Sequence, residues 1–222
     1  MAERLDPALL GLAVAAIGAP LLKQEYGSYS CIHGAAIAVK VAEHYGVLAQ
    51  VLVARLSVFN AAYETMMREC GGLPTVSNSA ELHARYPDAW AVGVGFGKEG
   101  STDGKWETSE PNRLWPGHLV AIYGPHKRKN STLVDLAAKQ ADRPHIGIVI
   151  PPVAVEVEPP FLSGERNVAG GRLIGAKGSI VLRYESFPRE RTYEVTPAWK
   201  DHTFIRRVVR MIILQIEASV EK

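Results

Sequence analysis

Residues 29–36 of this chain read YSCIHGAA, a stretch that places a cysteine at the predicted start of a buried helix. Ser30 is a good N-cap residue, because its hydroxyl can accept a hydrogen bond from an amide of the first turn. The following residues are apolar nearly all round the helix, and Gly46 supplies a typical helix end. The sequence therefore predicts a core helix that carries Cys31 in its first turn.

The position of Cys31 bears on its chemistry. At a helix N-terminus, unpaired amides and the positive end of the helix dipole favour the thiolate, which is the nucleophilic form of cysteine. The structural alternative is that Cys31 is a small apolar side chain in a packed helix, as free cysteines often are. The hypothesis of a reactive thiol therefore depends on which residues surround Cys31.

Composition bounds the class of protein. The chain has 222 residues, of which 47% are hydrophobic, and a formal net charge of +2. This is enough apolar material for one large domain, or for one domain with an appendage. The charge is near balance, and the basic run at residues 126–129 lies between two predicted strands, so nucleic-acid binding is not favoured. Cys31 and Cys70 do not make a disulfide framework in a chain of this length.

The N-terminal segment is predicted to be a core helix and not a targeting signal. Residues 1–6 lack a basic region, and the apolar run of residues 9–22 is short and interrupted by Pro20. Asp6 is placed as an N-cap, with Pro7 at the first helical position. We therefore expect a cytoplasmic protein with no membrane partner. No phosphate loop or dinucleotide fingerprint indicates a cofactor, and the oligomeric state is open.

The order of predicted elements is typical of an α+β fold, in which a helical N-terminal half packs on an antiparallel sheet and a C-terminal helix follows. Helical patterns cover residues 7–23, 31–45, 60–69, 79–86 and 197–220. Strand patterns cover residues 47–55, 89–96, 117–123, 131–136 and 146–157, with a terminal hairpin at 179–184 and 191–195. Residues 23–30, 97–116 and 159–171 are predicted to be loops.

A reactive thiol needs a base, and the base needs an acceptor that fixes its tautomer. Among seven histidines, His118 stands out because it opens an apolar strand, and Asp135 lies among aliphatic residues in the next strand. A carboxylate in such a place is costly unless a partner pairs with it. A hairpin that turns near Lys127 brings His118 and Asp135 within hydrogen-bond reach. His33 is set aside, because its side chain diverges from that of Cys31 on the same helix.

Each residue also has a structural alternative. His118 can be a satisfied core histidine, and Asp135 can bond to local backbone. The joint arrangement of Cys31, His118 and Asp135, however, resembles the transglutaminase-like branch of the papain-type cysteine superfamily, to which arylamine N-acetyltransferases are similar. The resemblance covers roughly residues 27–144, and its specific parts are Ser30-Cys31, residues 117–120 (GHLV) and residues 133–136 (LVDL).

By this resemblance Cys31 is the nucleophile, His118 the general base and acid, and Asp135 the acid that orients the histidine. Residues 1–158 are then a transglutaminase-like core domain, and residues 159–222 are a C-terminal hairpin and helix packed on the same domain. The resemblance names no counterpart for this C-terminal part.

The resemblance also requires an oxyanion donor. The backbone N–H of Cys31 is a candidate, because it is free at the start of the helix. Gln24, Tyr29 and Asn60 are candidates for a second donor, and Trp115 for a wall of the substrate site. The alternatives are that Gln24 is a solvated loop residue and that Trp115 belongs to the core.

We therefore expect a cysteine-dependent hydrolase or acyltransferase that acts on an amide or thioester through an acyl-enzyme at Cys31. Its substrate is a peptide, a protein or a small acyl compound. One alternative is a non-catalytic protein of the same fold that binds a peptide or protein partner in its cleft, using residues 97–116. A metal site at Cys31, His118 and Asp135 is weaker, because it offers three dispersed ligands and no local ligand pair.

Overall fold

The structure is a computed structural model that describes residues 6–27, 30–71, 79–95, 106–108, 117–125, 130–165, 168–175 and 178–220. The fold is α+β, as predicted, with helices packed on a mainly antiparallel sheet of eight strands. Within the described residues the helices are α1 (Pro7–Tyr26), α2 (Cys31–His44), α3 (Ala61–Glu69), α4 (Ser79–Arg85), α5 (Pro159–Ser163), α6 (Pro197–Lys200) and α7 (His202–Val220). The strands are β1 (Ala49–Asn60), β2 (Ala91–Val94), β3 (Trp106–Thr108), β4 (His118–Tyr123), β5 (Ser131–Asp135), β6 (Val153–Val157), β7 (Val168–Gly175) and β8 (Gly178–Ser186).

Strand β1 is the centre of the sheet. Ala54 pairs with both His118 of β4 and Ser186 of β8, so these two strands lie on opposite edges of β1. Leu56 likewise pairs with both β2 and β8. Strands β2 and β4 therefore follow one another along the same edge, and β2 ends where β4 begins. This junction positions the candidate site.

The sheet curls strongly. From β4 it continues through β5 to β6, while β7 pairs with β8 at the other end. Because β6 also contacts β7, the two ends of the sheet come together. The inner face is a buried apolar cluster with side chains from six strands, including Leu56, Val120 and Leu182. The outer face packs against α1, α2 and α7 through residues such as Val134 and Ile37.

Helix α1 begins as predicted. The side chain of Asp6 accepts a hydrogen bond from the Ala8 amide at 2.7 Å, and Pro7 is the first helical residue. By length and composition alone α1 could cross a membrane. One side of α1, with Val14 and Leu22, is buried in the outer cluster of this fold.

Several predicted element bounds are wrong. Helix α1 continues to Tyr26, into the predicted loop at residues 23–30, and residues 146–152 lie outside any strand. Part of residues 97–116, predicted to be a loop, forms β3. The last helical segment is divided at Asp201 into α6 and α7.

The terminal hairpin is also predicted wrongly. Residues 159–171 contain α5 and the first part of β7, and the hairpin is formed by β7 and β8. Residues 192–195 form a 3-10 turn. The glycines of β7 hide its strand pattern. Close pairing needs glycine at Gly170, where a Cβ would lie 2.0 Å from the Leu182 carbonyl oxygen, whereas a Cβ at Gly171 would meet nothing within 4 Å.

Candidate active site

Cys31 is the first residue of α2, and Ser30 is its N-cap, as predicted. The Ser30 hydroxyl oxygen accepts a hydrogen bond from the His33 amide at 3.4 Å. The Cys31 side chain is 7% exposed, and its Sγ lies 3.9 Å from the carbonyl oxygen of Gly117, directly before β4. The first turn of α2 therefore places the Cys31 thiol beside the start of β4, the strand that carries His118.

His118 and Asp135 form a buried pair. His118 begins β4, Asp135 ends β5, and the two side chains are fully buried. The distance from His118 Nε2 to Asp135 Oδ2 is 2.7 Å. Ile122 stands opposite Leu133 across the two strands, and because side chains alternate along a strand, His118 and Asp135 point to the same inner face. The predicted proximity of the two side chains is thus present.

The Asp135 carboxylate accepts two further hydrogen bonds. The Tyr184 hydroxyl donates to Oδ2 at 2.8 Å, and the Ala137 amide donates to Oδ1 at 2.8 Å. Burial and the nearby Asp135 raise the pKa of Tyr184 well above its ordinary value, so the tyrosine stays protonated and able to donate. Both oxygens of this buried carboxylate are satisfied, as buried polar groups require.

The charge on His118 follows from two opposing effects. Burial disfavours the imidazolium, but the charge of Asp135 and its hydrogen bond outweigh burial and raise the pKa of His118 to about 10. The nearby Cys31 also raises the pKa of His118, through a hydrogen bond and its charge. His118 Nδ1 has no hydrogen-bond partner of ordinary geometry in the part of the chain that the structure describes. With Nε2 committed to Asp135, Nδ1 is the nitrogen that can exchange a proton with the thiol.

Gly95 fixes the start of β4. It follows β2 with a φ of +84°, a conformation that residues with a side chain rarely adopt. A Cβ at Gly95 would lie 2.8 Å from the backbone nitrogen of His118 and 2.9 Å from its Cβ. The two ends of the segment between β2 and β4, Gly95 and Gly117, therefore meet beside His118.

The C-terminal part of the chain contributes to the surroundings of Cys31. Cys31 belongs to an apolar cluster with Val53 of β1 and Leu119 of β4. Tyr193 is buried in the same cluster, and Phe187, Ala198 and Trp199 pack against it. Together with Tyr184, these residues give the segment after residue 158 a place in the site, although its sequence indicates no role there.

Of the other predicted site residues, the structure describes Gln24 and Asn60, and neither forms a hydrogen bond with Cys31 there. Gln24 lies on the last turn of α1 and is exposed. Asn60 caps α3 through Oδ1 and donates to the Asp88 carbonyl oxygen at 2.7 Å, which gives it a structural role. Tyr29 and Trp115 lie outside the described residues, as do most of residues 97–116.

Two residues of the site are missed by sequence reasoning. The sequence does not distinguish Tyr184 from any other core aromatic residue of an alternating strand. Tyr184 reaches Asp135 only because the sheet curls, which the sequence does not show. Gly95 lies within the predicted strand at residues 89–96, and a glycine inside a strand pattern is a known mark of close backbone approach. That cue was available in the sequence, but it does not name His118 as the neighbour.

Among the described residues no group of three or more histidine, cysteine, aspartate or glutamate side chains is arranged to hold a metal ion. Both cysteines are free, Cys31 buried and Cys70 exposed. No family model, no curated protein and no solved structure matches this chain. The resemblance to the transglutaminase-like branch therefore stays a prediction from Cys31, His118 and Asp135.

Proposed function

We propose that this protein is a cysteine-dependent hydrolase or acyltransferase that forms an acyl-enzyme at Cys31. The observation that supports the proposal is the buried pair of His118 and Asp135, 2.7 Å apart, beside a thiol in the first turn of a helix. A nucleophile, a base and a group that orients the base are the parts that covalent acyl transfer needs. A transglutaminase-like or papain-type relationship is part of the same proposal.

In the first half of the reaction His118 is charged and holds the proton of Cys31 on Nδ1, and the Cys31 thiolate attacks the carbonyl carbon of an amide or thioester. The Cys31 amide, which has no acceptor within its own helix, is the candidate donor to the oxyanion. The tetrahedral intermediate collapses, and the proton on Nδ1 passes to the departing amine or thiol. Asp135 holds Nε2–H throughout.

In the second half the acyl group leaves Cys31. Water, or the nucleophile of an acceptor, gives its proton to His118 Nδ1 and attacks the thioester carbonyl carbon. The Cys31 thiolate departs, and the proton stays on Nδ1, which restores the charged His118 beside the thiolate. Attack by water makes the protein a hydrolase, whereas attack by an amine or another acceptor makes it an acyltransferase.

The test compares the two cysteines of the same molecule. Iodoacetamide near pH 7 should alkylate Cys31 about tenfold faster than Cys70 or more, because an ordinary thiol is only a few per cent thiolate at that pH. The comparison is demanding, since Cys70 is exposed and Cys31 is buried. His118→Ala should remove the difference. Equal rates in the unmodified protein, or a rate at Cys31 that His118→Ala leaves unchanged, would overturn the proposal.

A second measurement tests the acyl-enzyme itself. Brief exposure to p-nitrophenyl acetate, followed by acid quench and mass spectrometry, should find one acetyl group on the peptide that contains Cys31. Cys31→Ser is the matched control, and it should remain unmodified under the same exposure. A reactive Cys31 that never carries the acetyl group would favour the binding role that the sequence leaves as an alternative.

A further inference from the structure

His33 is a second buried histidine next to the nucleophile, and the proposed reaction gives it no part. It is 1% exposed and lies on α2, two residues after Cys31. Its ring packs against the rings of Tyr26 and Phe204, with centroid distances of 4.5 and 4.8 Å, and those two rings also contact each other. Those two rings belong to α1 and α7, so three helices meet at His33.

The two ring nitrogens of His33 face different partners. Nδ1 lies 2.9 Å from the Ser30 hydroxyl, which also accepts the His33 amide. Nε2 faces the Asp201 carboxylate at 4.0 Å and has no hydrogen-bond partner among the described residues. Because a carboxylate can only accept, the ring proton of neutral His33 is favoured on Nε2, and Nδ1 then accepts a hydrogen bond from the Ser30 hydroxyl.

Asp201 ties this contact to the C-terminal helix. Its Oδ1 accepts a hydrogen bond from the Phe204 amide at 3.0 Å, which caps α7. Its Oδ2 is the atom that faces His33. One carboxylate therefore serves the start of α7 and the histidine that bonds to the cap of α2.

We infer that His33 is a positioning residue for Cys31, which fixes the first turn of α2 through Ser30 and couples that turn to the packing of α7 through Asp201 and Phe204. The inference rests on the proposed role of Cys31 as a nucleophile. It gives the C-terminal helix a function in the site, because Phe204 and Asp201 contact the His33 ring, and the His33 ring bonds to the Ser30 hydroxyl.

The coupling is sensitive to acid. Burial lowers the pKa of His33, and the charge of Asp201 opposes this only in part, so the ring is neutral at neutral pH. The other charged groups at this junction are Glu25 and Arg207, which pair at 3.2 Å, and Arg207 also lies over the Phe204 ring. When His33 takes up a proton, Nδ1 becomes a donor to the Ser30 oxygen and the hydroxyl hydrogen must turn away. Acid therefore changes the cap of the helix that carries Cys31.

The experiment follows iodoacetamide alkylation of Cys31 against pH in a Cys70→Ser background, where Cys31 is the single thiol. His33→Phe keeps a ring but loses both nitrogens. It should slow alkylation at pH 7 by about two- to fivefold, the size of effect expected from altered polar groups at a helix N-terminus. It should also remove an inflection on the acid side of the profile.

Two matched variants separate the contacts. His33→Asn keeps an acceptor near the Ser30 hydroxyl and should retain the rate at pH 7. Asp201→Asn keeps a good N-cap for α7 but removes the charge that faces Nε2. It should move the acid inflection to lower pH, because that charge favours the imidazolium.

A profile of His33→Phe that superimposes on that of the parent would overturn the inference. If His33→Phe does not fold, an unshifted inflection in Asp201→Asn would overturn it instead. Hydrogen exchange of the amides in the first turn of α2 distinguishes this failure from failure of the proposed function. If only the proposed function fails, Cys31 will be no more reactive than Cys70, but His33→Phe will still speed exchange of these amides. If His33→Phe changes neither the exchange nor the reactivity of Cys31, His33 is only a packing residue of the core.

Discussion

Two buried histidines flank the candidate nucleophile, and they carry different charges. His118 is 0% and His33 1% exposed, so burial is the same for both. The pKa of His118 is raised to about 10, whereas that of His33 is lowered. The difference lies in the carboxylate. Asp135 is fully buried 2.7 Å from His118, while Asp201 is half exposed and 4.0 Å from His33.

The comparison teaches that burial alone does not set the charge of a histidine. A carboxylate in contact, itself shielded from water, outweighs the cost of burying the imidazolium, and a partly solvated carboxylate 1.3 Å farther away does not. In the proposed reaction the charged histidine is the one that exchanges a proton, and in the proposed positioning role the neutral one holds a helix cap. The predictions below test whether the partner, and not burial, makes this difference.

The largest effect is expected from Asp135→Ala. It leaves His118 buried without a counter-charge and leaves the Tyr184 hydroxyl without an acceptor, so unfolding in urea should show a loss of about 3–5 kcal/mol. Alkylation of Cys31 should fall to the rate of His118→Ala. Thr132→Val is the control, because Thr132 is a buried polar residue of the same strand that points to the other face. A loss no greater than that of the control would show that burial, and not Asp135, governs His118.

Gly95→Ala should come next, because it disturbs the placement of His118 without touching a charge. The new Cβ would overlap the His118 backbone in a positive-φ conformation, so both overpacking and backbone strain apply, together about 2–5 kcal/mol. Gly147→Ala is the matched control, with a φ of +78° and nothing within 4 Å of its Cβ. It should cost only about 1–2 kcal/mol and leave Cys31 reactivity unchanged. Equal losses in the two variants, measured in urea, would refute a special role for the junction of β2 and β4.

Tyr184→Phe should have a smaller effect and tests the second donor to Asp135. A hydrogen bond to a charged group contributes about 1.5–3 kcal/mol, so the variant should lose about that much stability. Tyr123→Phe provides the comparison, because the buried Tyr123 hydroxyl donates to a neutral acceptor, the Ala38 carbonyl oxygen, at 2.6 Å. It should lose about 0.5–1.5 kcal/mol. In Tyr184→Phe the Asp135 charge is less dispersed, so the downfield proton resonance of His118 Nε2–H should shift, and Tyr123→Phe should leave that resonance in place.

Sequence reasoning reaches the parts of the site that depend on local rules. The N-cap at Ser30, the apolar helix after it and the strand that His118 opens follow from capping and periodicity. The proximity of His118 and Asp135 follows from hairpin arithmetic, because the two strands are consecutive and the connection between them is short. These inferences need only neighbours along the chain or one turn apart.

The remaining parts depend on closure of the sheet. Tyr184 reaches Asp135 only because β8 pairs with the far edge of β1 and the sheet curls, and no local pattern encodes that path. Sequence reasoning sets His33 aside as a base because its side chain diverges from that of Cys31, and it cannot find the ring contacts of His33, which come from helices at the two ends of the chain. Long-range packing of this kind leaves little trace in one sequence.

The smallest effect is the one that separates the two histidines most directly, the dependence of stability on pH. The pKa of His118 is raised in the folded chain, so its contribution is fully present below its ordinary pKa of 6.5 and is lost as the pH rises through about 10. The pKa of His33 is lowered, so the unfolded chain binds a proton first on acidification, and stability falls as the pH drops below 6.5. Urea unfolding across this range should show His33→Phe losing only the acid-side slope. If His33→Phe instead changes the alkaline slope of the unfolding free energy against pH, or leaves the acid slope as in the parent, then folding does not favour the neutral form of His33.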